Sequence, residues 1–169
     1  MKNENTDFAN KITIKMTSNL SKVIEVQEYT LDELTIIIND LKSEQKEKVI
    51  EEIINNQLNE LKDKDDKKIR KVFKQVDDIT DYFIKYYDDD SDIVSECDQI
   101  ADDLLFKAIG RNERTLEFPI KVDDIKNYCL SSNINNNQIF DSLVWIALRL
   151  VAISYCIKYN DSLEDNIED

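Results

Sequence analysis

Leu116-Glu-Phe-Pro-Ile-Lys-Val-Asp-Asp-Ile-Lys-Asn-Tyr-Cys-Leu-Ser-Ser-Asn133 is the stretch whose reading decides the fold class. Glu117 to Ile120 reads as a short strand containing the chain's only proline, Pro119. Asp123 to Leu130 then takes helical spacing and closes on Ser131, Ser132 and Asn133, small and polar residues that suit a helix end. A matching unit lies about a hundred residues upstream. There Ile12, Ile14 and Met16 alternate with Thr13, Lys15 and Thr17, the period of a half-buried strand. Ser18 to Lys22 reads as the turn, and Ile24 and Val26, alternating with Glu25 and Gln27, as the return strand. Thr30 with Glu33 makes a capping box that opens the apolar run Leu31, Leu34, Ile37, Ile38 and Leu41.

Between these units the periodicity is helical. Val49, Ile50, Ile53, Ile54, Leu58 and Leu61 mark a helix over 43–61, and the charged run 62–68 an exposed connection. Ile69, Val72, Phe73, Val76, Ile79 and Phe83 mark the next helix, which the acidic run 88–92 breaks. Ile93 to Ile109 is another, with Gly110 at its C-terminal cap. After a loop at 133–137, Ile139 to Ile157 is apolar on nearly every side, the signature of a central core helix. The expected fold is α+β: a mostly helical single domain with a small N-terminal β-hairpin sheet. Residues 1–10 read as a flexible N-terminus, 11–158 as the domain with a helical insertion at 43–66, and 159–169 as an acidic, frayed tail.

Composition removes several function classes. A chain of 169 residues is long enough to bury a real core. Its formal charge of −14 repels phosphate backbones, which argues against nucleic acid as a partner. The absence of histidine removes Ser-His-Asp and Cys-His nucleophilic pairs and histidine-ligated zinc. One glycine leaves no Gly-rich phosphate loop. Cys97, Cys129 and Cys156 stand far apart and read as reduced, buried thiols, hence an intracellular protein, cytoplasmic or nuclear. Met1 to Asn10 lacks the apolar core of a signal peptide. The run Leu143 to Ile157 is interrupted by Arg149 and reads as too short to span a bilayer, so no membrane is expected. A DNA-reading helix-loop-helix at 123–157 fails as well, because its second helix is hydrophobic.

Two carboxylate patterns bear on metal chemistry. Asp88, Asp90 and Asp92 open like a calcium loop, yet Ile93 replaces the required glycine and Gln99 the bidentate glutamate. A solvated acidic run is the simpler reading. Asp78 with Asp81, and Asp98 with Asp102, have the spacing of a magnesium-binding pair of helices. The stretch Asp98-Gln-Ile-Ala-Asp-Asp-Leu-Leu-Phe106 resembles the second metal-binding helix of the all-α nucleoside triphosphate pyrophosphohydrolases, although Gln99 stands at one acid position. Glu44, Glu47, Glu60 and Asp63 repeat the spacing along one helix, where they spread apart instead of converging.

The two framing units together resemble the Skp/elongin C adaptor family. The likeness rests on Ile12 to Val26 with the helix Leu31 to Leu41, and on Glu117 to Asn133 followed by the helix from Ile139 to Ala152. Asn19-Leu20 replaces the family's usual Asp-Gly turn, no third sheet strand is evident, and the helix at 43–61 occupies the interval. The resemblance implies a BTB/POZ-like fold and a non-catalytic adaptor that bridges a cullin scaffold and an F-box-type receptor in a ubiquitin ligase. It also implies that no cofactor is needed and that Tyr128, Leu130, Ile134, Ile139, Phe140 and Trp145 lie in or near the receptor surface. Two other readings follow from the residues. One is the magnesium-dependent pyrophosphohydrolase, using Asp78, Asp81, Asp98 and Asp102; the other is a small acidic inhibitor or immunity protein that caps a basic surface.

Overall fold

Every residue from 142 to 154 is buried, so the molecule is built around one C-terminal helix. The computed structural model describes residues 13–16, 20–87, 91–109 and 119–167. Two short antiparallel strands, β1 (Thr13–Lys15) and β2 (Glu28–Thr30), lead into helices α1 (Leu31–Asp40), α2 (Ser43–Leu61), α3 (Asp66–Tyr87) and α4 (Ser91–Ile109). Helix α5 (Val122–Ser131), a 3-10 turn (Asn136–Gln138) and α6 (Ile139–Ile167) complete the described chain. Helices α1 to α5 all pack against α6, as does β1. The fold is mostly helical with a small N-terminal sheet.

The sheet differs in register from the sequence expectation. Thr13 pairs with Thr30 and Lys15 with Glu28, so the return strand is 28–30 and not 24–26. Burial explains the shift: Val26 is 52% exposed, whereas Tyr29 sits inward at 4% and Ile24 at 2%. The turn itself is tight. Ser21 and Lys22 both have positive φ, 47° and 61°, between a bridge joining Leu20 to Ile24. These are the left-handed positions of a type I′ turn, where Asn-Gly is the usual occupant and Ser-Lys is strained. Leu20 therefore precedes the turn centre at Ser21-Lys22, and Asn19 lies outside the described residues.

Thr30 ends β2 and caps α1. Its Oγ1 accepts from the Glu33 backbone N–H at 3.1 Å, and Glu33 Oε1 accepts from the Thr30 N–H at 3.4 Å, completing the expected capping box. Thr30→Ala is expected to lower stability by about 1 kcal/mol, read from the shift of the urea midpoint at unchanged slope.

Helix α2 belongs to the packed core. Its six apolar positions, Val49 through Leu61, are all buried, and the helix packs against α6, α4 and α5. The tail is a second correction. Helix α6 continues to Ile167, beyond the expected end at Ile157. Polar partners on α3 carry it: Asn160 Nδ2 donates to Gln75 Oε1 at 3.0 Å and Lys68 meets Asp161 at 3.1 Å. Lys158 also pairs with Glu60 of α2. The helix spanning residues 136–163 is thus long and apolar enough to cross a bilayer, contrary to the reading of 143–157, but 83% of its apolar window is buried inside the bundle.

Candidate functional site

The quoted stretch is fixed by two different devices. Asn55 of α2 acts like a strand partner for the extended segment: Ile120 N–H donates to Asn55 Oδ1 at 2.7 Å, and Asn55 Nδ2 donates to Ile120 O at 2.9 Å. Glu51, one turn earlier, accepts from the Val122 N–H at 3.0 Å and places a carboxylate at the N-terminus of α5. At the other end Asn133 adopts φ 66° and the Ile134 N–H donates to Cys129 O at 3.1 Å. That is a Schellman cap, whose apolar contact joins the residue after the left-handed position to the last turn of the helix. Ile134 and Cys129 are accordingly buried.

This geometry sorts the six residues expected near a receptor. Ile134 closes the cap of α5, and Ile139 and Trp145 are buried in the core, so these three hold the fold in this structure. Leu130 is 44% exposed. Tyr128 and Phe140 are half-buried, each beside lysine. Lys107 Nζ donates to Tyr128 Oη at 2.9 Å and lies 4.6 Å from the ring centre. Lys46 and Lys126 each lie 5.7 Å from the Phe140 ring centre, and Lys126 also pairs with Glu47. Lys126 and Leu130 are one turn apart on one face of α5, so the exposed leucine neighbours the lysine that lies over Phe140, whereas Tyr128, two residues from each, projects from another face toward Lys107.

Two of the four carboxylates of the metal reading, Asp98 and Asp102, are engaged with a cation. Asp98 and Asp102, one turn apart on α4, face Arg149 of α6. Arg149 is only 5% exposed, and it donates from Nε and Nη2 to the two oxygens of Asp102 at 3.0 and 3.1 Å. Its Nη1 donates to Asp77 of α3 at 3.2 Å and lies 3.6 Å from Asp98 Oδ1. Trp145, one turn before Arg149, donates its indole N–H to the same Asp98 oxygen at 2.8 Å. Phe73 lies across the guanidinium, with its ring centre 5.7 Å from Cζ. Asp78 is half-buried and has no part in these contacts; the side chain of Asp81 lies outside the described residues, as do Asp88 and Asp90. Asp92 is exposed in the first turn of α4.

The electrostatics follow from burial. Burial pushes the Asp98 carboxyl up to about 6, against the opposing pull of Arg149 and of the Trp145 hydrogen bond. Burial also raises Asp102, although its hydrogen bonds to Arg149 pull the other way. For Arg149 burial alone would favour the neutral form, but Asp102, Asp98 and Asp77 outweigh it and hold the cation. The three cysteines are free and buried, and burial pushes Cys97 and Cys156 up to about 12 and Cys129 to about 11. They are unreactive thiols in the native state.

Comparison with protein-family models, with curated proteins and with solved structures finds no match. The site must be read from its own geometry.

Asp77 and Arg149 were the residues that sequence reasoning passed over. The signal for Arg149 was present: a lone cation in an apolar helix must find carboxylates, because a buried unpaired charge is too costly. Asp98 and Asp102 at i,i+4 were the natural partners, and Trp145 at i−4 from Arg149 completes the set. Among the described residues no group of three or more acidic or cysteine side chains has the arrangement of a metal site.

Proposed function

We propose that this protein is a non-catalytic interaction module of BTB/POZ-like type, an adaptor that joins a cullin scaffold to an F-box-type receptor. The observation that carries the reading is the commitment of Asp98 and Asp102 to Arg149. The two carboxylates that the hydrolase reading takes from α4 face Arg149 and Trp145. Two features support an adaptor beside it. The N-terminal hairpin leads into a capped helix, and exposed Leu130, one turn from the Lys126 that lies over Phe140, offers an apolar anchor with a charged flank. The described sheet has two strands, and the proposal draws on the hairpin and the α5 unit.

The test is direct complex formation between the purified chain, a cullin N-terminal region and an F-box-type receptor, followed by size-exclusion chromatography at moderate salt. A stable complex is expected, and Leu130→Glu is expected to weaken receptor binding roughly tenfold or more without unfolding the protein. Absence of both complexes at micromolar concentration sinks the adaptor reading. A complex formed only at low ionic strength would point instead to the acidic-cap reading, since rim charge is screened by salt.

A further inference from the structure

The exposed end of α5 lies in an uncharged window. Residues 127–140 contain no Asp, Glu, Lys or Arg, in a chain that is 34% charged and carries −14 overall. Leu130 is 44% exposed there, and Asn133, Asn135, Asn136 and Asn137 of the following loop are exposed amides. Lysines border the window, and they differ. Lys126, one turn before Leu130, pairs with Glu47 and lies 4.0 Å from Asp123. Lys46 of α2 is half-buried, with its Nζ 5.7 Å from the centre of the Phe140 ring, the same ring that Lys126 faces. Among the described residues Lys46 makes no ion pair, and neither does Asp141, the acidic residue that follows Phe140. A cation held over a ring is kept in place without being neutralised, so its charge stays open to an incoming carboxylate.

We propose that this corner receives an acidic, leucine-bearing segment of a partner protein: the apolar side chain packs on Leu130 and Phe140, and the carboxylate meets Lys46. The choice of occupant follows from charge. A carboxylate set against Lys46 completes an ion pair that the chain itself leaves open, and beside a half-buried ring that pair is less screened than one in bulk water. A cationic segment would meet Lys46 as a like charge, although the chain as a whole attracts it. The local and the long-range fields thus favour opposite partners at this corner. A second copy of the chain is disfavoured by the repulsion between two bodies of −14 each. The inference rests on the interaction-module reading, because it names the chemistry that the Leu130 surface selects.

Three end-blocked peptides, Glu-Leu-Glu-Glu-Leu-Glu and its glutamine and lysine counterparts, test it against the intact chain at one moderate ionic strength. Amide shifts of Leu130, Lys46 and Phe140 read binding at the corner. The glutamate peptide is expected to bind severalfold more tightly than the glutamine one, and the lysine peptide least. Lys46→Gln is expected to erase the preference for glutamate over glutamine, and Leu130→Ser to weaken both. The proposal is overturned by tighter binding of the lysine peptide at these residues, or by a glutamate preference that survives Lys46→Gln. No shift there with any of the three at millimolar concentration overturns it as well. Self-association of the chain that shifts the same amides would put a second copy in the corner, which also overturns it. The series needs neither cullin nor receptor, so it can fail while the complex of the adaptor reading forms, and the reverse.

Discussion

Arg149→Leu is expected to cost about 3 to 5 kcal/mol, a large share of the roughly 5 to 15 kcal/mol that holds a domain of this kind together. The loss does not come from removing a favourable ion pair as such. Desolvating both charges offsets much of the attraction between buried partners. The cost arises because Asp98 and Asp102, both mostly buried, are left facing each other with no cation. The two carboxylates respond by taking up protons, so the penalty is expected to shrink in mild acid. Arg149→Lys keeps the charge but not the two-pronged contact with Asp102, and it is expected to be milder, by about half. Urea midpoints at pH 7 and pH 5 read both effects; a loss below about 1 kcal/mol at pH 7 would mean that Arg149 is not in the observed geometry.

The second large effect is expected at Asn55. Asn55→Leu leaves the N–H and the C=O of buried Ile120 without their partners, about 1 to 3 kcal/mol for each orphaned group. A total of about 2 to 6 kcal/mol is expected, together with rapid exchange of the Ile120 amide. Asn55→Asp separates the two bonds. It preserves the acceptor for the Ile120 N–H but sets a carboxylate against the Ile120 carbonyl, so it is expected to be no better than leucine. If Ile120 exchange stays slow in Asn55→Leu, another group satisfies that amide and the bracket is secondary.

These two sites show where a sequence is readable and where it is not. The capping box at Thr30 and Glu33 and the helical periodicity of α2 and α3 depend on residues close in the chain, and the structure contains them as read. The hydrophobic-small-small-Asn ending of α5 was legible for the same reason, since a Schellman cap is closed by six consecutive residues. The return strand was placed four residues early because Ile24 and Val26 alternate correctly while only Ile24 turns inward. Nothing local distinguishes Val26 from Tyr29. The C-terminal extension of α6 was missed because its polar sequence is carried by Gln75 and Lys68, more than eighty residues away.

The candidate site was half legible. Asp98 and Asp102 were singled out for their spacing, and Trp145 through the family resemblance, but their common partner was not. Spacing at i,i+4 says that two carboxylates share a helix face; it does not say whether a metal or a guanidinium stands opposite. That choice is made by α6 laying Arg149 against α4, a tertiary event. Likewise apolar residues at helical spacing such as Ile134, Ile139 and Trp145 usually face inward, and their burial places all three in the core. Only Leu130, with the flanks of Tyr128 and Phe140, keeps the exposure that binding requires.

A double-mutant cycle on Arg149 and Asp102 tests the arrangement most directly. Arg149→Leu, Asp102→Leu and the double variant would be unfolded in urea under one set of conditions. The buried two-pronged pair predicts a coupling above about 2 kcal/mol, with the double variant far less damaged than the sum of the singles. Additivity within about 0.5 kcal/mol would contradict it, and would return Asp102 to the pool of carboxylates open to other chemistry.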